Sequence, residues 1–185
     1  MLTALLLAIA AVFGVVMAPI RTRMVGDAAV SDRRVRAVDV CDAVAAAALI
    51  GAAAIAAAVS GPVTGVQLAA AQVAAVLAAA TAGGFFVRSV LAAGSIPTRN
   101  ENYDDPEPDP PLRGGRVIGV LERVAIAVTL LAGWPAGIAV ILGVKGLARF
   151  PQLREHHASE QFIIGTFASV LWACAAAGTV LLLAA

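Results

Sequence analysis

Charge is scarce in this sequence: 14% of its 185 residues are Asp, Glu, Lys or Arg, whereas 61% are hydrophobic. An average soluble domain is about 25% charged, so water is not the solvent this chain is built for. The net charge is only +1 and aromatics make up 5%. No Lys/Arg cluster is interleaved with aromatic side chains, which excludes a nucleic-acid partner. The two cysteines, Cys41 and Cys174, imply neither a disulfide framework nor a Cys metal site, and both are expected to be packing residues. The two histidines, His156 and His157, are adjacent, so their rings point apart, and they read as a solvated connector rather than metal ligands. The chain also lacks a nucleophile–base–orienter set, a Gly-Lys-Ser/Thr phosphate loop and a His-Glu-x-x-His pair. It is expected not to be an enzyme and to carry no cofactor.

The hydrophobic residues occur in long runs. Residues 2–20, 43–59 and 162–185 contain no Asp, Glu, Lys or Arg, and each approaches or reaches the ~20 residues that cross ~30 Å of hydrocarbon as a helix. A membrane β-barrel would need strands that alternate with period two, and the Ala-rich run from Ala45 to Ala48 shows no such pattern. The fold class expected is all-α, a polytopic membrane protein of about six transmembrane or partly spanning helices. Residues 1–20 lack the basic start of a signal peptide, and the small-residue site near Ala18 runs into Pro19, so they read as a retained first helix.

The breaks divide the chain. The first helix is expected over 2–20, ending at Pro19 before Arg21 and Arg23, with a polar loop to Asp39. The second covers 40–59, with Asp39 and Asp42 in its first turn, where carboxylates cap free N–H groups. Ser60-Gly61-Pro62 turns the chain into a third helix over 64–91, forming a hairpin. Residues 94–115 hold five carboxylates and a run of prolines, a composition that reads as an extended, solvated linker. The fourth helix, 116–134, breaks at Gly133-Trp134-Pro135-Ala136-Gly137 and continues into a short fifth, 136–150, stopped by Pro151. A sixth begins near Ser159. The units expected are therefore a three-helix unit over 1–93, the acidic linker, and a three-helix unit over 116–185. If the fourth and fifth helices were one kinked span, there would be five.

The positive charges assign sides. Arg21, Arg23, Arg33, Arg34 and Arg36, then Arg88, Arg99, Arg113 and Arg116, then Lys145, Arg149 and Arg154 fall in or beside three regions that share one side in the six-helix layout. The Gly61-Pro62 and Trp134-Pro135 turns and both termini carry no Lys or Arg. The charged loops are therefore expected in the cytoplasm and the termini outside. The partners expected are the lipid bilayer, whose anionic headgroups suit the arginines, and either other membrane subunits or a second copy of the chain. Gly and Ala throughout the second, third and fifth helices, with Gly133-x-x-x-Gly137, permit close helix approach.

Glu122, Arg123, Lys145, Arg149 and Glu160 form the candidate polar cluster, because ionisable groups inside or bordering hydrocarbon are costly unless paired or wetted. Counted from Pro135, Glu122 lies 13 residues back and Lys145 lies 10 residues on, so their depths differ by only about 4–5 Å at 1.5 Å per residue. A pair is expected, with Glu160 as the competing partner. These residues either tie helices together or bind and move an ion or a charged headgroup.

The block from Gly115 to Arg123 (Gly-Arg-Val-Ile-Gly-Val-Leu-Glu-Arg), the run from Val144 to Arg154 and the run from Ser159 to Thr166 resemble the C-terminal membrane segment of an uncharacterised bacterial family. The resemblance implies a bacterial inner-membrane protein and carries no activity. The run from Ser31 to Asp39, set between one helix and a hairpin, resembles the F subunit of multisubunit Na⁺/H⁺ antiporters. This chain departs from that pattern in the extra residues before Asp32, in its arginines and in its C-terminal half. The functions expected are, in order, a non-catalytic scaffold or accessory subunit of a membrane complex, a component of an ion or small-solute transporter, and a lipid-headgroup-binding enzyme.

Overall fold

The computed structural model describes residues 1–27, 29–94, 96, 115–150 and 156–185, with the side chains of Arg149, His156, His157 and Ala158 left aside. The acidic linker and the connection before the last helix lie almost wholly outside the described residues. The described residues form six helices: α1 (Leu2–Gly26), α2 (Asp32–Val59), α3 (Gly65–Ala93), α4 (Gly115–Leu131), α5 (Gly137–Arg149) and α6 (His156–Ala184). No strand occurs among the described residues. α1, α2, α3 and α6 are long and apolar enough to cross a membrane. The 17 residues of α4 and 13 of α5 reach about 25 and 20 Å, so they form the short hairpin that the glycine-proline break predicts.

The core of the bundle is mostly Ala, and many of the large hydrophobic residues face outward. On α1, Thr3, Leu7, Ala10, Ala11 and Gly14 are buried, while Leu5, Ile9, Val12 and Val16 are exposed. Lipid tails solvate Leu and Val as well as a protein core does, so close backbone packing, not hydrophobic burial, drives the helices together. α3 is the central element, in contact with α1, α2, α4 and α6, whereas α5 lies against α4. One apolar core takes residues from both halves of the chain, among them Leu7, Ile50, Ala78, Ile126 and Trp172. α1 and α3 approach closely at Gly14, where a Cβ would stand 2.6 Å from backbone atoms of Thr81 and Ala82. There the Thr81 hydroxyl donates to the Ala11 carbonyl across the contact at 2.9 Å.

Several boundaries differ from expectation for physical reasons. α1 runs through Pro19 to Gly26, since a proline costs a helix one hydrogen bond but need not end it where neighbours hold the chain. α2 begins at Asp32, eight residues before its expected start, because charged residues keep a stretch out of hydrocarbon without keeping it out of a helix. Asp39 and Asp42 are therefore not caps. They lie two to three turns inside α2 and are buried. Gly133 takes a positive φ of 73° and starts the reversal between α4 and α5. Gly137 packs on Thr129 and Trp134 of the same hairpin, so this glycine pair builds a turn instead of a helix–helix face. Cys41 is exposed, unlike the packing residue expected there; Cys174 is partly buried.

Candidate functional site

The helices alternate in direction, so the C-terminal ends of α1 and α3 meet the N-terminal ends of α2, α4 and α6 at one end of the bundle. One buried charge cluster sits there, and a second reaches the middle of α3. The first centres on Asp39 of α2, which is 2% exposed. Arg21 of α1 donates to both carboxylate oxygens, Nε to Oδ1 at 2.6 Å and Nη2 to Oδ2 at 3.0 Å. Arg88 of α3 adds a third bond, Nε to Oδ1 at 3.0 Å, with its guanidinium over the Phe85 ring. The Ser89 hydroxyl donates to the Asp39 backbone carbonyl at 2.9 Å. One carboxylate thus ties three helices with charge-assisted bonds, the strongest hydrogen bonds a side chain offers. Asp42, one turn on and also buried, keeps Oδ2 without a hydrogen-bond partner.

The second cluster lies on α4, where Glu122 and Arg123 are each 6% exposed. Arg123 points at α3, and its Nε and Nη2 donate to the carbonyls of Ala79 and Ala80 at 2.9 and 3.0 Å. Gly83 makes room for it. A Cβ there would stand 2.5 Å from both Arg123 Cδ and Trp172 Cδ1. Trp172 of α6 fills the remaining space and donates its indole N–H to the Ala78 carbonyl at 3.3 Å. Glu122 points the other way, toward α5, where Lys145 Nζ lies 2.5 Å from its Oε2. The Phe162 ring of α6 covers that ammonium, 5.4 Å from its centroid.

The structure therefore brings Glu122 to Lys145 at the depth the residue count from Pro135 anticipates. Arg123 stands beside them but serves α3. Glu160 is exposed at the start of α6, and the Arg149 side chain lies outside the described residues. Sequence reasoning missed the Asp39 cluster. The signal was available: Val35, Asp39, Asp42, Ala43 and Ala46 fall on one helical face, so carboxylates on an otherwise apolar stripe called for cationic partners. Among the described residues no three His, Cys, Asp or Glu side chains gather as a metal site.

The charges stand apart from the cavity. A groove of about 810 Å³ opens between α2 and α6, lined by Ala47, Ile50, Gly51, Phe86, Trp172 and Leu182 among others, without an ionisable side chain. Fold and site together define an all-helical protein with four helices able to span a membrane and with Asp39, Glu122 and Arg123 engaged between helices. Comparison with protein-family models, curated proteins and solved structures finds no match to this chain, so neither resemblance gains support there.

Proposed function

We propose that this chain is a non-catalytic scaffold or accessory subunit of a membrane complex. One observation carries the reading: Asp39, Glu122 and Arg123 each bond to at least one other helix of the same chain, while the large groove is apolar. A pathway for a charged solute would bring ionisable groups and cavity together, and here they are separate. An apolar groove floored by Ala47, Gly51 and Ala54 suits a transmembrane helix of another subunit, because small residues let backbones approach. The membrane is a bacterial cytoplasmic membrane in this proposal. Its charged end, with Arg23, Arg33, Arg34 and Arg36 exposed, faces the cytoplasm and the anionic headgroups there. Both termini then lie outside.

The test is purification of the full chain in mild detergent, with identification of what accompanies it. A membrane protein in fixed stoichiometry is expected, and Gly51→Leu, which fills open space, is expected to deplete it. Recovery of the wild-type chain alone contradicts the proposal. A second reading, a component of an ion or small-solute transporter, is favoured by Glu122 Oε1, a buried carboxylate oxygen without a hydrogen-bond partner. Co-purification with an antiporter complex would promote it.

A further inference from the structure

Four buried side-chain oxygens of the described residues lack a hydrogen-bond partner, and three of them, Glu122 Oε1, Thr166 Oγ1 and Ser169 Oγ, belong to α4 and α6. Those helices pack on each other. Lys145 fixes their relative level, since its ammonium holds Glu122 and faces the Phe162 ring. Thr166 and Ser169 follow Phe162 at i+4 and i+7, on one face of α6. At 1.5 Å per residue that stripe descends about 10 Å from Phe162 to Ser169. Ser169 is 3% exposed and lies near the midpoint of the 29-residue helix. Trp172, beside Gly83 and Arg123, follows one turn further on and is the one residue shared with the α2–α6 groove.

A buried polar group left unpaired costs about 1–3 kcal/mol, so two on the α6 stripe and one on the neighbouring α4 call for a ligand that both donates and accepts hydrogen bonds. The surrounding charges decide which. Glu122 contributes one negative charge, and Arg123 and Lys145 contribute two positive ones. Arg88 on α3 is paired with Asp39, and Glu160 is exposed at the start of α6. That surplus disfavours a further cation, and an anion would have to approach the Glu122 carboxylate. A neutral ligand fits: water can donate to Glu122 Oε1 and accept from the hydroxyls, making the 2–4 bonds a buried water needs.

We propose that Glu122, Lys145, Thr166 and Ser169 frame an internal water-binding site, an inlet reaching from the charged end of the bundle to the middle of α6. This goes beyond the scaffold reading, because it gives the chain a hydrated polar interior of its own.

The experiment is water-edited solid-state NMR on the full-length protein in lipid bilayers, ¹³C-labelled at lysine, serine and threonine. Lys145 is the only lysine, so its signal assigns itself. Ser169→Ala identifies Ser169, and sequential correlations to Ala168 and Val170 do so should that variant not fold. Thr179 is the reference: it lies on the same helix beside the apolar groove, is 1% exposed, and its hydroxyl already bonds to the Ala175 and Ala176 carbonyls. Ser169 is expected to receive polarisation from water at least about three-fold faster than Thr179, as a site in contact with bound water should. A smaller ratio overturns the proposal. A Ser169 signal that moves when NaCl replaces N-methylglucamine chloride assigns the site to a cation and also overturns it.

Discussion

Replacing Asp39 with Asn keeps the size of the side chain and removes the one negative charge that Arg21 and Arg88 share. Both guanidinium groups bond to Oδ1, so without the carboxylate two cations are left within a few ångströms of each other. Removing one partner of a buried ion pair costs about 3–5 kcal/mol. The side chains of Arg21 and Arg88 are 12% and 25% exposed at the end of the bundle, where water and headgroups relieve part of the strain. The expected loss is therefore in the lower part of that range, about 3 kcal/mol, read as unfolding free energy in mixed detergent micelles. Asp27→Asn is the control: Asp27 is exposed and its Oδ1 accepts from the Ala29 N–H, a bond the amide retains, so its effect stays within about 0.5 kcal/mol. Adding Arg88→Met to Asp39→Asn should restore part of the loss by removing one stranded cation. A loss below about 1 kcal/mol for Asp39→Asn, the magnitude of a surface ion pair, would refute the three-helix tie.

Gly83→Ala is expected to cost about 1–3 kcal/mol through overpacking and to shift the Trp172 emission in a Trp134→Phe background, because the new methyl meets Arg123 and Trp172. Gly51→Ala, with open space around it, gains about 1 kcal/mol or less from helix propensity and leaves the emission nearly unaltered. For sidedness, single cysteines at Gly61 and Ala136 in a Cys41→Ser, Cys174→Ala background should react with impermeant thiol reagents from outside, whereas cysteines at Ser31 and Gly94 should not. External labelling of Ser31 would reverse the proposed orientation.

The spans were legible because an apolar run of 20 residues has few other uses, and the hairpin because Gly133 and Pro135 are local signals. The Glu122–Lys145 pair was legible for the same reason: a tight turn converts sequence distance into depth. What the sequence hid depends on partners. The start of α2 was misplaced because the charges from Asp32 to Arg36 mark where hydrocarbon ends, not where the helix does. Asp39 then looked like a cap, and its arginines, 18 residues before it and 49 after it, looked like orientation signals. The contact of Arg123 with α3 was hidden more deeply, since backbone carbonyls are acceptors in every residue and only the gap at Gly83 records the approach.

The central claim is that buried ionisable side chains in this chain tie helices together, and the Glu122–Lys145 pair tests it most directly. Each partner is to be neutralised alone, Glu122→Gln or Lys145→Met, and then both together, with thermal unfolding followed in detergent. Each single change strands a charge, at about 3–5 kcal/mol before allowance for the partial exposure of Lys145, whereas the double change strands none. The double variant is expected to melt above both single variants. Strictly additive losses would contradict it, and both residues would then be independent charges reaching for the membrane boundary.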